Sequence, residues 1–426
     1  MAEAPTDRPL KVTFVALNYA PSVGGAQEHI RQVAEGLTAR GHQVDILTTD
    51  ALTSPSGRAP GVIPEHREVL AGVEVRRFAV VPWMLRAQRG ARWVLGRIFR
   101  ADGAAVPAAL APLLVGPASP GLLRPIRAAL RTSDVVVACP APFLTLLVPT
   151  MLPRPRARVV SMPLLHASSR APGWWVRRAL RRVDGSTAST GFERDLLHAL
   201  GVPSERIDLL PPGTSLDRFA ARTPSSARAE LGLPERPTIG YVGRLASYKG
   251  IDTLLDAAPL IWDHHPDTTV LVAGARTTWS GHRDHPVTRG EPDRVVVRED
   301  LAFDEIPTFL SACDVIAFPS RDESFGMQII ESWAARRPVV AAGIPAVRDV
   351  IRAGIDGELV DPGDHVALAR ELGRLLDEPD RARRMGEAGR IQVVEHLTWT
   401  AIVDRWSSFL HLTVRRPSVL SPAGRP

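Results

Sequence analysis

The sequence predicts an α/β protein built as two Rossmann-like domains, and three observations predict it. A length of 426 residues exceeds the roughly 250–300 at which a single core stops growing. A grammar of short β-rich runs alternating with helical patterns appears once and then starts afresh. Between the two runs lies a proline-rich stretch.

The first run opens with residues 12–17 as a strand, 27–39 as a helix and 44–48 as the next strand, one βαβ unit. The same grammar recurs at 135–139 and 159–162. It restarts at 238–242, 270–273 and 315–318, with helical patterns between. Residues 203–237 carry Pro211, Pro212, Pro224 and Pro234, which places a crossover there. The expected division is a first domain over 1–210, a linker over 211–236, a second domain over 237–395, a C-terminal helix over 396–415 packing back on the first domain, and a disordered tail over 416–426. Residues 104–125, rich in proline and alanine, show no clear period and read as an insertion or helical excursion.

A content of 45% hydrophobic and 23% charged residues is that of an ordinary globular protein and excludes global disorder. The apolar run 12–17 is too short for a signal segment or a spanning helix. Cys139 and Cys313 fall in different predicted domains, which favours a reducing cytoplasm. The formal charge of +6 suits anionic partners without choosing among them. Arginine carries nearly all of the positive charge, the only lysines being Lys11 and Lys249. Adjacent His264 and His265 cannot easily share one ion, and no other His/Cys/Asp/Glu cluster has metal-ligand spacing. Spaced aromatics on a basic sheet and Cys-His fingers are also missing, so nucleic acid is not an expected partner.

The sharpest signal follows the strand at 315–318, where Arg321-Asp322-Glu323-Ser324-Phe325-Gly326-Met327 leads into a helix carrying Glu331. Two carboxylates therefore stand at the carboxyl edge of a parallel sheet, where open α/β sheets bind ligands and a helix start favours phosphate. Glu331 can accept hydrogen bonds from a ribose diol, and Glu323 can reach sugar hydroxyls. As isolated residues, the two would more often be a helix cap and a solvated helix glutamate. A second signal opens the later run: the strand at 238–242 passes into Gly243-Arg244-Leu245-Ala246-Ser247-Tyr248-Lys249-Gly250. Arg244 and Lys249 suit a diphosphate whose charge grows as a bond to it breaks. In a chain that otherwise avoids lysine, its use at position 249 singles out the compact ammonium.

Through these motifs the chain resembles the family-4 retaining glycosyltransferases of GT-B fold, over most of its length. That family joins a strand followed by Gly-Arg-x-x-x-x-Lys-Gly, a glutamate pair with seven residues between, and an N-terminal glycine loop, matched by Gly243–Gly250, by Glu323 with Glu331, and by Gly24-Gly25. The resemblance implies two Rossmann-like domains facing a central cleft and a nucleotide-diphosphate sugar as donor. It implies no metal cofactor, with Arg244, Lys249 and a helix start in place of the cation. Donor binding would fall to Gly24, Gly25, Arg244, Lys249, Ser324, Phe325, Gly326 and Glu331, and catalysis to Glu323 and His166, the last being a strand-end histidine that would contact the transferred sugar. His29 is a weaker candidate, on the first helix beyond the glycines. Two departures leave the donor open: Pro211-Pro212-Gly213-Thr214-Ser215 replaces Pro-Asn-Gly-Val-Asp at the crossover, and a polar loop with His282, His285 and Arg289 follows the strand at 270–273.

Residues 83–100 (WMLRAQRGARWVLGRIFR) place Arg86, Arg89, Arg92, Arg97 and Arg100 opposite Met84, Ala91, Val94, Leu95 and Ile98 at helical spacing. Such a helix can lie in an anionic membrane interface, or it can pack on the first domain with a solvated arginine face. Residues 174–182 (WWVRRALRR) have the same character. The acceptor is thus expected to be a lipid-linked glycan or a small molecule, and the enzyme to be peripheral on the inner membrane face. Two other readings stay open: a nucleotide-sugar epimerase of the same fold, and a noncatalytic binder of nucleotide sugars or lipids.

Overall fold

The structure is a computed structural model that describes residues 8–22, 24–52, 61–81, 83, 119–170, 173–219, 222–277 and 279–419. The expected arginine-rich helix at 83–100, apart from Trp83, lies outside these residues, as do most of 104–125 and all of 420–426. The chain forms two compact units, 1–211 with 400–426 and 212–399.

Among the described residues the first unit holds β1 (Lys11–Val15), β2 (Gln43–Thr49), β3 (Arg67–Leu70), β4 (Val73–Phe78), β5 (Val135–Ala138), β6 (Arg158–Ser161), β7 (Gly185–Ala188) and β8 (Ile207–Leu209). They form one sheet in the order β3-β4-β2-β1-β5-β6-β7-β8. The sheet is parallel except for the β3–β4 hairpin. β5 is buried on both faces, which is why it reads as an unbroken apolar run, and β1 is buried from Val12 onward. The helix Trp399–Arg415 carries the chain back into this unit. It buries Ile402, Val403, Trp406, Phe409 and Leu410, and Val403 fits because a Cβ at Gly36 would lie 2.7 Å from it. Residues 416–419, expected as tail, stay on the unit: the Ser418 hydroxyl and the Val419 N–H each donate to Asp184 at 2.9 Å.

The second unit's sheet is wholly parallel in the order β11-β10-β9-β12-β13-β14, with β9 (Thr238–Val242), β10 (Thr269–Gly274), β11 (Val295–Glu299), β12 (Val315–Phe318), β13 (Val339–Ala342) and β14 (Gly357–Val360). Hydrophobic clusters cover both faces of this sheet. From β9 the chain builds outward to β10 and β11, then returns to lay β12 on the other side of β9. That reversal is a topological switch point, where the loops after the two strands diverge and leave a crevice at the carboxyl edge. Of residues 211–236, expected as a linker, 212–236 belong with this unit. The reason is Arg228, buried in the helix Pro224–Glu230, which donates to the Ala312 carbonyl at 3.0 Å and to Glu235 and Asp314 at 2.6 Å. Asp314 in turn accepts the Thr238 N–H at 2.7 Å, tying this helix to the first strand of the sheet.

Candidate active site

The loops after β9 and β12 meet at the switch point. After β9, the Tyr241 hydroxyl donates to the Arg244 carbonyl at 3.0 Å, and a short helical turn, Ser247–Lys249, ends at Gly250. Gly250 has φ 70°, and a Cβ there would sit 2.0 Å from the Pro319 carbonyl oxygen, so only glycine lets this turn press against the end of β12. The other loop closes on it: the Arg321 N–H donates to the Tyr248 carbonyl and its guanidinium to the Ser247 carbonyl and Asp252, each at 2.8 Å.

This stitching brings the Lys249 ammonium onto the Glu323 carboxylate as an ion pair whose residues are 6% and 7% exposed. A pair this buried is held by geometry, because each charge was taken from water and each depends on the other. Arg244 stands exposed beside it, its guanidinium 5.9 Å from the Tyr248 ring. Gly326, at φ 100°, starts the helix Met327–Ala334. Ser324 is half-buried before it, while the ring of Phe325 belongs to the core cluster with Phe318 and Ile329, so Phe325 can meet a ligand through its backbone only. Glu331 lies one turn into the helix, 3.7 Å from the Arg218 guanidinium. Arg218 stacks on the Phe303 ring at 3.7 Å and donates to the Phe303 carbonyl at 2.5 Å. Arg244, Lys249, Glu323, Ser324, Gly326 and Glu331 thus share one sheet edge.

His166, Gly24 and Gly25 lie on the first unit, at the carboxyl edge of its own sheet. Gly24 precedes the helix Gly25–Ala39, beyond β1. His29 is a core residue: its ring meets Trp406 edge-on at 6.4 Å, and burial pushes its pKa down to about 3, which keeps it neutral. His166 is half-buried in the loop beyond β6.

That loop is held by a residue the sequence reading missed. Glu193 is buried at the start of the helix Gly191–Ala199 and accepts the N–H groups of Leu165 at 2.6 Å and Ser189 at 2.7 Å. Thr190 accepts the Glu193 N–H at 3.1 Å and so caps the helix, while the Glu193 carboxylate reaches back to Ser189 and fixes the residue before His166. Burial raises Glu193 to about 7 against the pull of its backbone donors. The unfolded carboxyl titrates near its ordinary value, so between that and about 7 the native state binds more protons and stability falls as pH rises. Glu193→Gln is expected to remove this slope from the variant's own pH profile, so that the wild-type-minus-variant difference carries it. It should also lower stability by about 1–3 kcal/mol, since one amide oxygen cannot serve both N–H groups as the carboxylate does. Urea unfolding at pH 5 and pH 8 checks both; an unchanged slope would remove the titration from Glu193.

Two family models match, a glycosyl transferase 4-like domain over residues 24–213 and glycosyl transferases group 1 over residues 225–392. A GDP-mannose-dependent alpha-(1-6)-phosphatidylinositol monomannoside mannosyltransferase of Mycobacterium tuberculosis is 31% identical over 62% of this chain and 73% of its own length. The chain belongs to the group 1 glycosyltransferases. A D-inositol 3-phosphate glycosyltransferase of Xylanimonas cellulosilytica is 32% identical over 64% of each chain. For the first three curated relatives the match spans 64%, 52% and 49% of their length. Sucrose-phosphate synthase from Thermosynechococcus elongatus superposes with a TM-score of 0.74 at 23% identity, covering 94% of this chain and 98% of its own, which establishes the GT-B fold. In this group 1 glycosyltransferase, two roles lay beyond sequence reasoning: the partnership of Arg218 with Glu331, and Glu193. The capping-box spacing signalled a helix start at Thr190, and no local signal pointed to Leu165.

Proposed function

We propose that this chain is a retaining hexosyltransferase that moves a sugar from a nucleotide-diphosphate donor to an acceptor, without a metal cofactor. The observation that carries the reading is the buried Lys249–Glu323 pair at the switch point of the second sheet, with Arg244 beside it and Glu331 one turn into the helix that follows. In the reaction the bond from the anomeric carbon to the diphosphate oxygen breaks and one to an acceptor oxygen forms. Arg244 and Lys249 stabilise the charge that gathers on the leaving diphosphate, helped by N–H groups at Ser324–Gly326. Glu331 accepts from the ribose diol and Glu323 from sugar hydroxyls. The family resemblance assigns His166 to the transferred sugar and lets the Gly24-Gly25 backbone approach the phosphates. It also implies front-face attack, with the acceptor proton passing to the leaving diphosphate.

The test is a calorimetric screen of UDP-, GDP-, ADP- and TDP-sugars, followed by transfer assays with and without EDTA. One donor is expected to bind, Arg244→Ala to weaken it by about tenfold or more, and EDTA to leave transfer unchanged. Binding of none of these donors, or release of an epimer in place of transfer, would overturn the reading.

The acceptor is proposed to be lipid-linked and the enzyme to work at the inner membrane face. The mannosyltransferase relative, named for a phosphatidylinositol mannoside, supports this. No helix among the described residues is long and apolar enough to cross a membrane. The helix Trp174–Leu180 buries Val176, Ala179 and Leu180 while Trp174 stays 45% exposed, with Arg177, Arg178 and Arg181 exposed near it. Each basic residue at an anionic surface contributes about 1 kcal/mol. Changing Arg177, Arg178 and Arg181 to glutamine is therefore expected to cut sedimentation with phosphatidylserine vesicles by roughly a hundredfold. Equal pelleting of variant and wild type would detach this helix from the membrane reading.

A further inference from the structure

The second unit carries a cavity of about 250 Å³ whose walls include Arg222, Thr223, Ser311, Arg336 and Arg337. It opens at the opposite edge of the sheet from Lys249 and Glu323. Ser311 precedes β12 and Arg337 precedes β13, so both stand at the amino-terminal ends of strands, whereas Lys249 and Glu323 follow strand ends.

The guanidinium groups at this cavity are unevenly matched. Arg222 lies 3.6 Å from Glu230 and Arg336 lies 2.7 Å from Glu387. Arg337 has no carboxylate within ion-pair distance among the described residues, and its buried Nε has no hydrogen-bond partner among them. Burial, with Arg228 and Arg336 nearby, pushes its pKa down against the pull of Asp314. A buried charged donor left in this state is costly, and an anion that accepts from it removes the cost. Arg336 adds a second anomaly. It sits at φ 58°, just past the end of the helix Met327–Ala334, where glycine or asparagine is the usual occupant. The chain thus keeps an arginine in a strained position on the cavity wall. Arg390, which donates to the Ala334 carbonyl on the cavity wall, raises the positive surplus. The hydroxyls of Thr223 and Ser311 complete the polar lining.

We propose that this cavity is a second anion site, which binds the phosphate group of a small phosphomonoester through Arg337, Arg336 and Arg222. Planar guanidinium groups match phosphate oxygens in paired hydrogen bonds. The cavity volume of about 250 Å³ bounds the size of the ligand. That is more than a bare phosphate needs, and it lies below the roughly 300–1,000 Å³ of drug-sized pockets. A phosphate bearing a body of a few carbons fits.

Titration calorimetry of the full chain with inorganic phosphate and with glycerol 3-phosphate, at constant ionic strength, tests the site. Wild type and Arg244→Ala are expected to bind alike, while Arg337→Gln and Arg222→Gln each weaken binding by about tenfold or more. Arg222 is partly exposed, so its variant reports even where Arg337→Gln folds poorly. Tighter binding of glycerol 3-phosphate identifies a phosphorylated metabolite as the ligand, and equal binding identifies phosphate itself. No heat with wild type, or binding lost in Arg244→Ala and kept in Arg222→Gln, overturns the proposal.

Discussion

Lys249→Ala is expected to abolish transfer and to destabilise the chain by about 3–5 kcal/mol, the usual result of removing one partner of a buried ion pair. Lys249 and Glu323 are both almost wholly withdrawn from water and pair directly. Deleting the ammonium strands the carboxylate in a setting that the Gly250 turn and the Arg321 bridges hold closed. Lys249→Arg is not a conservative repair, because a planar fork does not fit where a compact ammonium was enclosed. The structural and chemical roles separate in a double variant. Replacing a buried pair with apolar residues of similar volume is often neutral or stabilising, so Lys249→Met with Glu323→Leu should regain most of the lost stability. Transfer should stay absent, since neither the charge facing the diphosphate nor the acceptor for sugar hydroxyls returns. Urea unfolding and release of nucleoside diphosphate read the two effects separately. A double variant that still transfers would strip both residues of their proposed roles.

The legible part of this fold is the part whose burial is uniform. β9, β10 and β12 are buried throughout, and such strands print themselves as short apolar runs ended by glycine or proline. β7 is equally buried, yet it reads Gly-Ser-Thr-Ala and gives no apolar signal. It tolerates burial because Ser186 finds a hydroxyl partner in Ser161 of β6 at 2.7 Å, a match between strands that no local window contains. The β3–β4 hairpin did carry a local sign, Ala71-Gly72 between two β-rich runs, both residues having positive φ. At the site, motif spacing indicated which residues stand at the sheet edge, since loops after parallel strands must emerge there. It could not indicate that Lys249 and Glu323 neutralise one another, nor that Arg218 reaches Glu331. Those pairings are set by strand order, which reverses between β9 and β12 and brings distant segments side by side.

Trp406→Ala is expected to destabilise the first unit by about 3–5 kcal/mol, the range for truncating a large buried aromatic. Trp406 is fully buried, with ring centroids 6.4 Å from Phe14 of β1, 6.4 Å from His29 and 6.2 Å from Phe409. It therefore pins the C-terminal helix to the first strand and to the helix that Gly24 precedes. Its loss leaves a cavity that β1, set in the middle of an eight-stranded sheet, cannot collapse to fill. Two units need not unfold as one, so a single midpoint is a poor readout. Calorimetry should show one transition moved down and another in place. Because Arg244, Lys249, Glu323 and Glu331 all belong to residues 212–399, the unmoved transition should still rise on adding the donor nucleotide. Transfer should fall at temperatures between the two transitions, where nucleotide affinity persists and the residues supplied by the first unit, His166 among them, are lost. If Trp406→Ala lowered both transitions together and erased nucleotide binding, the proposed placement of the donor site on the second unit would fail.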